Sequence, residues 1–281
     1  MRRRAQGEKT VSYETITYEL EKGVVLLTLN RPKSLNALNG TMVHELMDAQ
    51  QRFAKDDDAR VMVVTGAGRA FSAGFDLKES DASDKRKGVL ENKALLQLDF
   101  EMIMGFWHSP KPTIAAVHGY CLAGACEIAL ACDITIAGED SFFGEPELRF
   151  GAGIVAMLMP WMTGPKQAKE LLFTGNDRVP AKRALDIGII NKVVPAGEHV
   201  NEAKKMAREI AVMDKEAVVM TKEAIHRAYD AMGMRQALQH AVDIDVQITS
   251  LDTPDRLKFR EVSKKDGLKA ALAWRESRFA K

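Results

Sequence analysis

The sequence predicts an α/β core followed by an all-helical C-terminal region. Up to Pro195 of the 281 residues, short runs rich in β-branched residues alternate with runs of helical spacing. Beyond it no strand-like run follows and glycine becomes rare. Hydrophobic residues make up 46% of the chain, enough for a large packed core, and a disordered chain is excluded. We therefore expect a core at residues 1–197 and a helical region at residues 198–281.

The elements of the core follow in order along the chain. Residues 15–20 and 24–30 form a predicted β-hairpin, joined at residues 21–23. Helical spacing over residues 39–54 places four apolar side chains on one face: Met42, Leu46, Ala49 and Phe53. Short apolar runs predict buried strands at residues 61–65, 112–117, 133–137 and 189–194, with helices at residues 90–107 and 122–131. This β-then-α order is typical of an α/β core.

The region after Glu198 predicts three or four amphipathic helices. One apolar stripe consists of Met220, Ala224, Ala228 and Met232, and a second of Leu238, Val242 and Val246. Stripes of this spacing belong to a core or an interface more often than to a binding groove. We expect these helices to pack on the core or on a neighbouring subunit.

The charge balance excludes several classes of partner. Lys and Arg number 40 against 39 Asp and Glu, so the net charge is +1, and we expect binding neither to nucleic acid nor to an anionic membrane. The uncharged run that begins at Phe150 is shorter than the roughly 20 apolar residues that cross a bilayer. Cys121, Cys126 and Cys132 have the spacing of neither a disulfide framework nor a zinc site. They predict buried thiols and a cytoplasmic protein.

Several familiar motifs are absent. A strand runs into Gly66 and Gly68 as in dinucleotide-binding folds, but Phe71 stands where the third glycine should be. The Gly-x-Ser-x-Gly hydrolase motif and the His-Glu-x-x-His metal motif do not occur. We therefore expect no nicotinamide, flavin or metal cofactor.

Two glycine-bearing loops each follow a predicted buried strand. The first is residues 69–77 and the second residues 118–127. Small residues let the backbone approach a ligand, and amides at a helix start point outwards. Two such amides aimed at one point would form an oxyanion hole. Ordinary strand-to-helix turns would show the same spacing.

Glutamates next to these loops add a chemical argument. Glu127 is surrounded by Ala, Cys, Ile and Leu, and Glu145 and Glu147 follow two phenylalanines. Burial raises the pKa of a carboxyl towards general acid–base catalysis. An acid in a first helical turn can also complement the helix dipole, which leaves a structural role open for Glu127. Two such carboxyls near an oxyanion hole indicate proton transfers around a carbonyl.

Many motifs along the chain resemble those of the crotonase (enoyl-CoA hydratase/isomerase) superfamily, and the resemblance covers nearly its whole length. They stand at residues 29–32, 35–38, 70–77, 111–120, 132–134, 143–147, 172–175 and 184–188. The resemblance implies a spiral of ββα units with two roughly perpendicular sheets. It also implies an acyl-CoA-binding core over residues 1–197 and helices over residues 198–281 that assemble a trimer or a dimer of trimers.

The resemblance also implies which residues form the site. The oxyanion amides fall on Phe75 and Gly124, and the two catalytic glutamates on Glu127 and Glu147. Residues expected near coenzyme A, which enters only as part of the substrate, are Lys33, Ser72, Ala73, Gly74 and Lys78. Glu145 stands where many relatives have a neutral residue, so no catalytic role is assigned to it.

The segment after Glu147 departs from the family pattern. A Gly-rich stretch is expected there, but residues 148–161 are shorter, bulkier and more apolar. Because this segment shapes the acyl pocket, more than one function remains open. The first hypothesis is an enoyl-CoA hydratase; the alternatives are an enoyl-CoA isomerase, a hydratase of a cyclic or aromatic acyl-CoA, and an inactive binding subunit.

Overall fold

The computed structural model describes residues 12–77 and 88–279. A six-stranded sheet has the order β1-β2-β3-β4-β6-β9. Its strands are β1 (Ile16–Glu21), β2 (Val24–Leu29), β3 (Val61–Gly66), β4 (Thr113–Val117), β6 (Ile134–Gly138) and β9 (Lys192–Val194). The predicted strands are therefore confirmed, although the last one begins three residues later than the apolar run.

The large sheet is antiparallel only at its first pair. β1 and β2 form the predicted hairpin, and the four other pairs are parallel. Every residue of β4 is buried, as is typical of a parallel strand covered on both faces. In such a sheet the loops at the carboxyl ends of the strands lie together, and this is where the site forms.

The resemblance implies a second sheet, and the structure contains one, but its three strands were not predicted from the apolar pattern. It contains β5 (Tyr120–Leu122), β7 (Phe142–Gly144) and β8 (Val179–Pro180), in the order β5-β7-β8. Runs of two or three residues carry no periodicity, so only their pairing defines them. β5 and β7 pair in parallel, Leu122 opposite Gly144, and this brings the two chain segments that carry the glutamates side by side.

Helices cover the sheets. In the core they are α1 (Gly40–Lys55), α2 (Val89–Trp107), α3 (Gly124–Ala131), α4 (Met159–Met162), α5 (Pro165–Thr174) and α6 (Ala181–Asp186). The side chain of Asn39 caps α1 by accepting a hydrogen bond from the amide of Met42. The four predicted apolar residues of α1 are all buried. The three cysteines are free and buried, as expected.

Between residues 198 and 279, the described part of the C-terminal region, there are five helices instead of the three or four expected. They are α7 (His199–Ala211), α8 (Lys215–Ala231), α9 (Met234–Ser250), α10 (Pro254–Asp266) and α11 (Leu268–Ser277). The last two are short and rich in charge, which weakens the apolar periodicity from which helices are counted. Across the described ranges, no helix has the length and apolar character needed to cross a bilayer.

The two apolar stripes of this region have different environments. Leu238, Val242 and Val246 on α9 are buried within the chain. On α8, by contrast, Met220 is 69% exposed and Met232 is 62% exposed. The stripe on α9 thus completes the core of this chain, whereas the stripe on α8 lies on its surface.

Candidate active site

The two glycine-bearing loops are joined by a parallel backbone bridge. Ser72 pairs with Cys121, the amide of Ser72 donates to the carbonyl of Tyr120 (3.0 Å), and the amide of Leu122 donates to the carbonyl of Ser72 (3.2 Å). Two loops that begin 49 residues apart in sequence, at residues 69 and 118, are therefore held against each other by hydrogen bonds.

Contact between the loops continues to their glycines. Gly74 has a positive φ of 86°, and a Cβ there would lie 2.5 Å from Cβ of Ala123. A Cβ on Gly124 would overlap the ring of Phe75. Neither Gly74 nor Gly124 has room for a side chain. The absence of a side chain at both positions lets the backbones of the two loops approach each other closely.

The amides of Phe75 and Gly124 have no acceptor among residues 12–77 and 88–279. Gly124 is the first residue of α3, where backbone N–H groups lack an intrahelical partner. Ala123, just before it, has the unusual φ of 56° and ψ of −135°, a conformation that costs free energy in an L-residue. Unpaired backbone donors of this kind, one of them at a helix start, are the groups from which an oxyanion hole is built.

Asn36 supports the first loop and was not singled out from the sequence as a functional residue. It is fully buried, and its side-chain amide donates to the carbonyls of Ala67 (2.8 Å), Ala70 (2.8 Å) and Phe71 (3.1 Å). Arg31 also braces this loop through its ion pair with Asp76, at 2.9 Å. Asn36 lies in one of the motifs that carry the resemblance. Its supporting role was not visible there, because the carbonyls that it binds are far away in the sequence.

Glu127 lies one turn into α3 and is only 1% exposed. Its two carboxylate oxygens accept hydrogen bonds from the amides of Val155 and Ala156, each at 3.1 Å. Burial, with the carboxyls of Glu145 and Glu147 facing it, raises the pKa of Glu127 well above its ordinary range. The amide of Ala156 acts in the opposite direction, because it stabilises the ionised form.

Glu147 begins the short 3₁₀ turn Glu147–Phe150, three residues after β7. Burial raises its pKa to about 8, and its Oε2 atom is sealed from solvent without a hydrogen-bond partner among the described residues. An unpartnered, desolvated oxygen favours the neutral, protonated carboxyl. The structure thus brings together the two glutamates that the resemblance implies, in a setting where both cannot readily be ionised.

Glu145 is fully buried beside them, and neither carboxylate oxygen has a partner in the described part of the chain. Its pKa is raised well above the ordinary value by burial and by the charge of Glu147. Its role is left unassigned, as it was from the sequence.

The residues expected near coenzyme A differ in where they lie in the structure. Lys33 is exposed on the 3₁₀ turn Pro32–Ser34, and the neighbouring Leu35 carbonyl accepts from the amide of Ala73 (3.0 Å), so this turn adjoins the first loop. The Ser72 hydroxyl is buried and accepts from the amide of Gly74 (3.1 Å), which gives it a part in shaping the loop. Lys78 lies outside the described residues.

Nothing in the described ranges groups three or more His, Cys, Asp or Glu residues in a way that could hold a metal ion. Two unpaired backbone amides and three neighbouring glutamates make up the candidate site. A family model for enoyl-CoA hydratase/isomerase matches residues 19–265. The chain belongs to the enoyl-CoA hydratase/isomerase family. The resemblance seen in the sequence is confirmed, and the chain is an enzyme of this family.

Curated relatives and solved structures agree with this assignment. A probable mitochondrial enoyl-CoA hydratase of Dictyostelium discoideum is 40% identical over 205 residues, covering 70% of each chain. The crotonyl-CoA hydratase of Syntrophomonas wolfei is 34% identical over 278 residues, covering 96% of this chain and 99% of the relative. A crystal structure of an enoyl-CoA hydratase/isomerase from Xanthobacter autotrophicus Py2 is 51% identical, with a TM-score of 0.94 over 96% of this chain and 100% of that one.

Proposed function

We propose that this enzyme catalyses the reversible addition of water to a 2-enoyl-CoA thioester. The observation that carries the proposal is a pair of glutamates, the buried Glu127 and the partly buried Glu147, next to two unpaired backbone amides. The family includes enzymes for hydration and for double-bond migration, so the family name does not separate the two reactions. Two carboxyls in one apolar site favour hydration, because that reaction must position a water molecule, whereas one carboxyl suffices to move a double bond. Curated relatives named as enoyl-CoA hydratases support the same choice.

In this proposal the amides of Phe75 and Gly124 bind the thioester carbonyl oxygen. Attack at C3 moves electron density onto that oxygen, and the resulting enolate is stabilised by two donors already in place. Because α3 begins at Gly124, the partial positive charge of its N-terminus acts in the same direction.

The two glutamates hold the water between them. Glu127 takes a proton from the water as its oxygen bonds to C3, and a proton is delivered to C2 as the enolate collapses. One carboxyl must therefore be ionised and the other protonated. The amides of Val155 and Ala156 favour the negative charge on Glu127, and the sealed Oε2 atom of Glu147 favours the proton there.

Isomerisation is the second candidate, because the segment after Glu147 differs from the family pattern. Residues 154–156 of this segment are buried and apolar, and they lie directly on Glu127 through its hydrogen bonds. A changed pocket wall can alter which acyl group is accepted or which carbon receives the proton. Hydration of a cyclic or aromatic acyl-CoA would use the same carboxyls.

A direct assay separates these activities. We expect the purified protein to consume crotonyl-CoA and to incorporate one labelled oxygen from H₂¹⁸O, measured by mass spectrometry of the product. Parallel reactions with longer 2-enoyl-CoAs, 3-enoyl-CoAs and a cyclohexenecarboxyl-CoA define the acyl preference. Conversion of 3-enoyl substrates alone, without labelled oxygen in the product, would make the enzyme an isomerase.

Coenzyme A supplies phosphates, for which we propose Lys33 and Lys78 as partners. Lys33 is exposed next to the first loop, where it can reach an anionic group in solvent. The backbone of residues 72–74 provides the close surface against which the nucleotide lies. No further cofactor takes part in the proposed reaction.

We propose a trimer, or a dimer of trimers, assembled through residues 198–281. The apolar stripe on α8 supports this proposal, since Met220 and Met232 remain largely exposed on the single chain. Sedimentation equilibrium at micromolar concentration is expected to give a mass of three or six chains. Met220→Lys combined with Met232→Lys should lower that mass, and a stable wild-type monomer would contradict the proposal.

A further inference from the structure

A short segment between the 3₁₀ turn and α4 is hydrogen-bonded to two buried carboxyls. The amides of Val155 and Ala156 donate to Glu127, and two residues earlier the amide of Gly153 donates to Oδ1 of Asp245 at 3.0 Å. Asp245 lies on α9, 92 residues further along the chain. The backbone that meets Glu127 is thus anchored from the C-terminal region.

The contact between Gly153 and Asp245 leaves no space. A Cβ on residue 153 would overlap Oδ1 of Asp245, so the absence of a side chain lets this backbone approach the carboxyl closely. Two residues earlier, Gly151 lies close to the Arg256 side chain on α10, where a Cβ would be 2.8 Å from Cγ of Arg256. Both neighbours of this segment, Asp245 and Arg256, come from the C-terminal helices.

Core stability by itself does not account for an aspartate at this position. Asp245 is only 2% exposed, and the other buried residues on the same helix include Leu238, Val242 and Val246. Replacing a buried charge by an apolar side chain of similar volume is often neutral or stabilising. Asp245 is a buried carboxyl whose oxygen accepts from the segment that meets Glu127, and this contact points to a role in the site.

We propose that Asp245 is a positioning residue, which fixes the backbone of residues 153–156 so that its amides meet Glu127. This inference rests on the proposed function, because Glu127 is there the group that activates water. The same carboxylate has an electrostatic effect. Its charge acts on Glu127 and Glu147, and it raises the pKa of both.

The charges around Asp245 determine the sign of that effect. Burial raises the pKa of Asp245 to about 6. The amide of Gly153 and the charge of Arg256 act in the opposite direction, because they favour the ionised form of Asp245. Above that pH the negative charge of Asp245 opposes ionisation of Glu147, whose pKa is about 8. Glu145 also faces Glu127, and ionisation of either carboxyl opposes ionisation of the other. Removing only the charge of Asp245 should therefore lower the pKa of Glu147.

Two substitutions separate the hydrogen bond from the charge. Asp245→Asn keeps an oxygen for the amide of Gly153 but removes the charge, and Asp245→Ala removes both. Asp243→Asn is the matched control, because Asp243 lies on the same helix but forms a surface ion pair with Lys93 at 2.9 Å. Circular dichroism and thermal melting verify that each variant is folded.

We expect Asp245→Ala to lower kcat for crotonyl-CoA on the order of 10²-fold, as a displaced catalytic group typically does. Asp245→Asn should retain most of the wild-type kcat. In its profile of kcat against pH, the limb that reports the pKa of Glu147 should move to lower pH. Asp243→Asn should match wild type. Equal losses for the two Asp245 variants, or an unmoved limb in Asp245→Asn, would overturn the role assigned to Asp245.

Hydrogen–deuterium exchange tests the positioning without any turnover. The peptide that covers residues 151–158 should exchange faster in Asp245→Ala than in wild type and stay protected in Asp245→Asn. If exchange in Asp245→Ala equals wild type, the positioning role is wrong, even if the enzyme hydrates crotonyl-CoA. If wild type fails to hydrate any enoyl-CoA but the exchange result holds, the proposed reaction fails and the anchoring stands.

Discussion

Glu127→Gln and Glu147→Gln are each expected to slow hydration of a 2-enoyl-CoA by several orders of magnitude. Each substitution preserves volume but removes a group that must gain or lose a proton in the reaction. Because one carboxyl activates the water and the other supplies a proton, the loss of either stops the same step. The double variant should therefore be little worse than either single variant. Initial rates with crotonyl-CoA over a range of enzyme concentrations measure these losses.

Glu145→Gln is the informative comparison for this experiment. Glu145 is as deeply buried as Glu127, but its oxygens accept no hydrogen bond from the described residues and it has no assigned step. We expect a far smaller loss of activity than for the other two. Tryptophan fluorescence titration with an unreactive acyl-CoA should show that all variants still bind. Intact hydration in Glu127→Gln would contradict the hydratase mechanism and favour an isomerase that uses Glu147 alone.

Gly124→Pro is expected to lower kcat by about 10²–10³-fold, the usual cost of losing one oxyanion donor. Proline has no amide hydrogen, so the donor at the start of α3 disappears. Steric damage accompanies this change, since any Cβ at position 124 overlaps the ring of Phe75. Steady-state kinetics with crotonyl-CoA, on variants shown to be folded, measure the loss.

Gly124→Ala is the matched control, because it introduces the same Cβ and keeps the amide. The difference in kcat between the proline and alanine variants reports the hydrogen bond itself. Phe75→Leu keeps the second amide and removes the ring, so its loss should be mild. If the proline and alanine variants fall equally while both remain folded, crowding against Phe75 explains the effect and the amide of Gly124 is not the donor.

Local patterns in the sequence predicted most of the helices and strands of the fold. Apolar periodicity located the hairpin, α1, α2 and the strands of the large sheet, because each depends on which face of a local element is buried. β5 and β7 were missed, since three residues carry no period and these strands exist only through pairing with each other. The number of C-terminal helices was underestimated where charged residues obscure the apolar face of α10 and α11.

The sequence by itself determined the family, because its motifs stand in the order of that family along nearly the whole chain. The same motifs made Glu127 and Glu147 the candidate catalytic residues. Only the tertiary structure decided which groups contact these two glutamates. The amides that bind Glu127 belong to Val155 and Ala156, and the aspartate that anchors their segment lies on α9. No spacing rule connects residues 92 positions apart. Such contacts arise from how helices pack on sheets, and the burial that raises the pKa of Glu147 to about 8 arises in the same way.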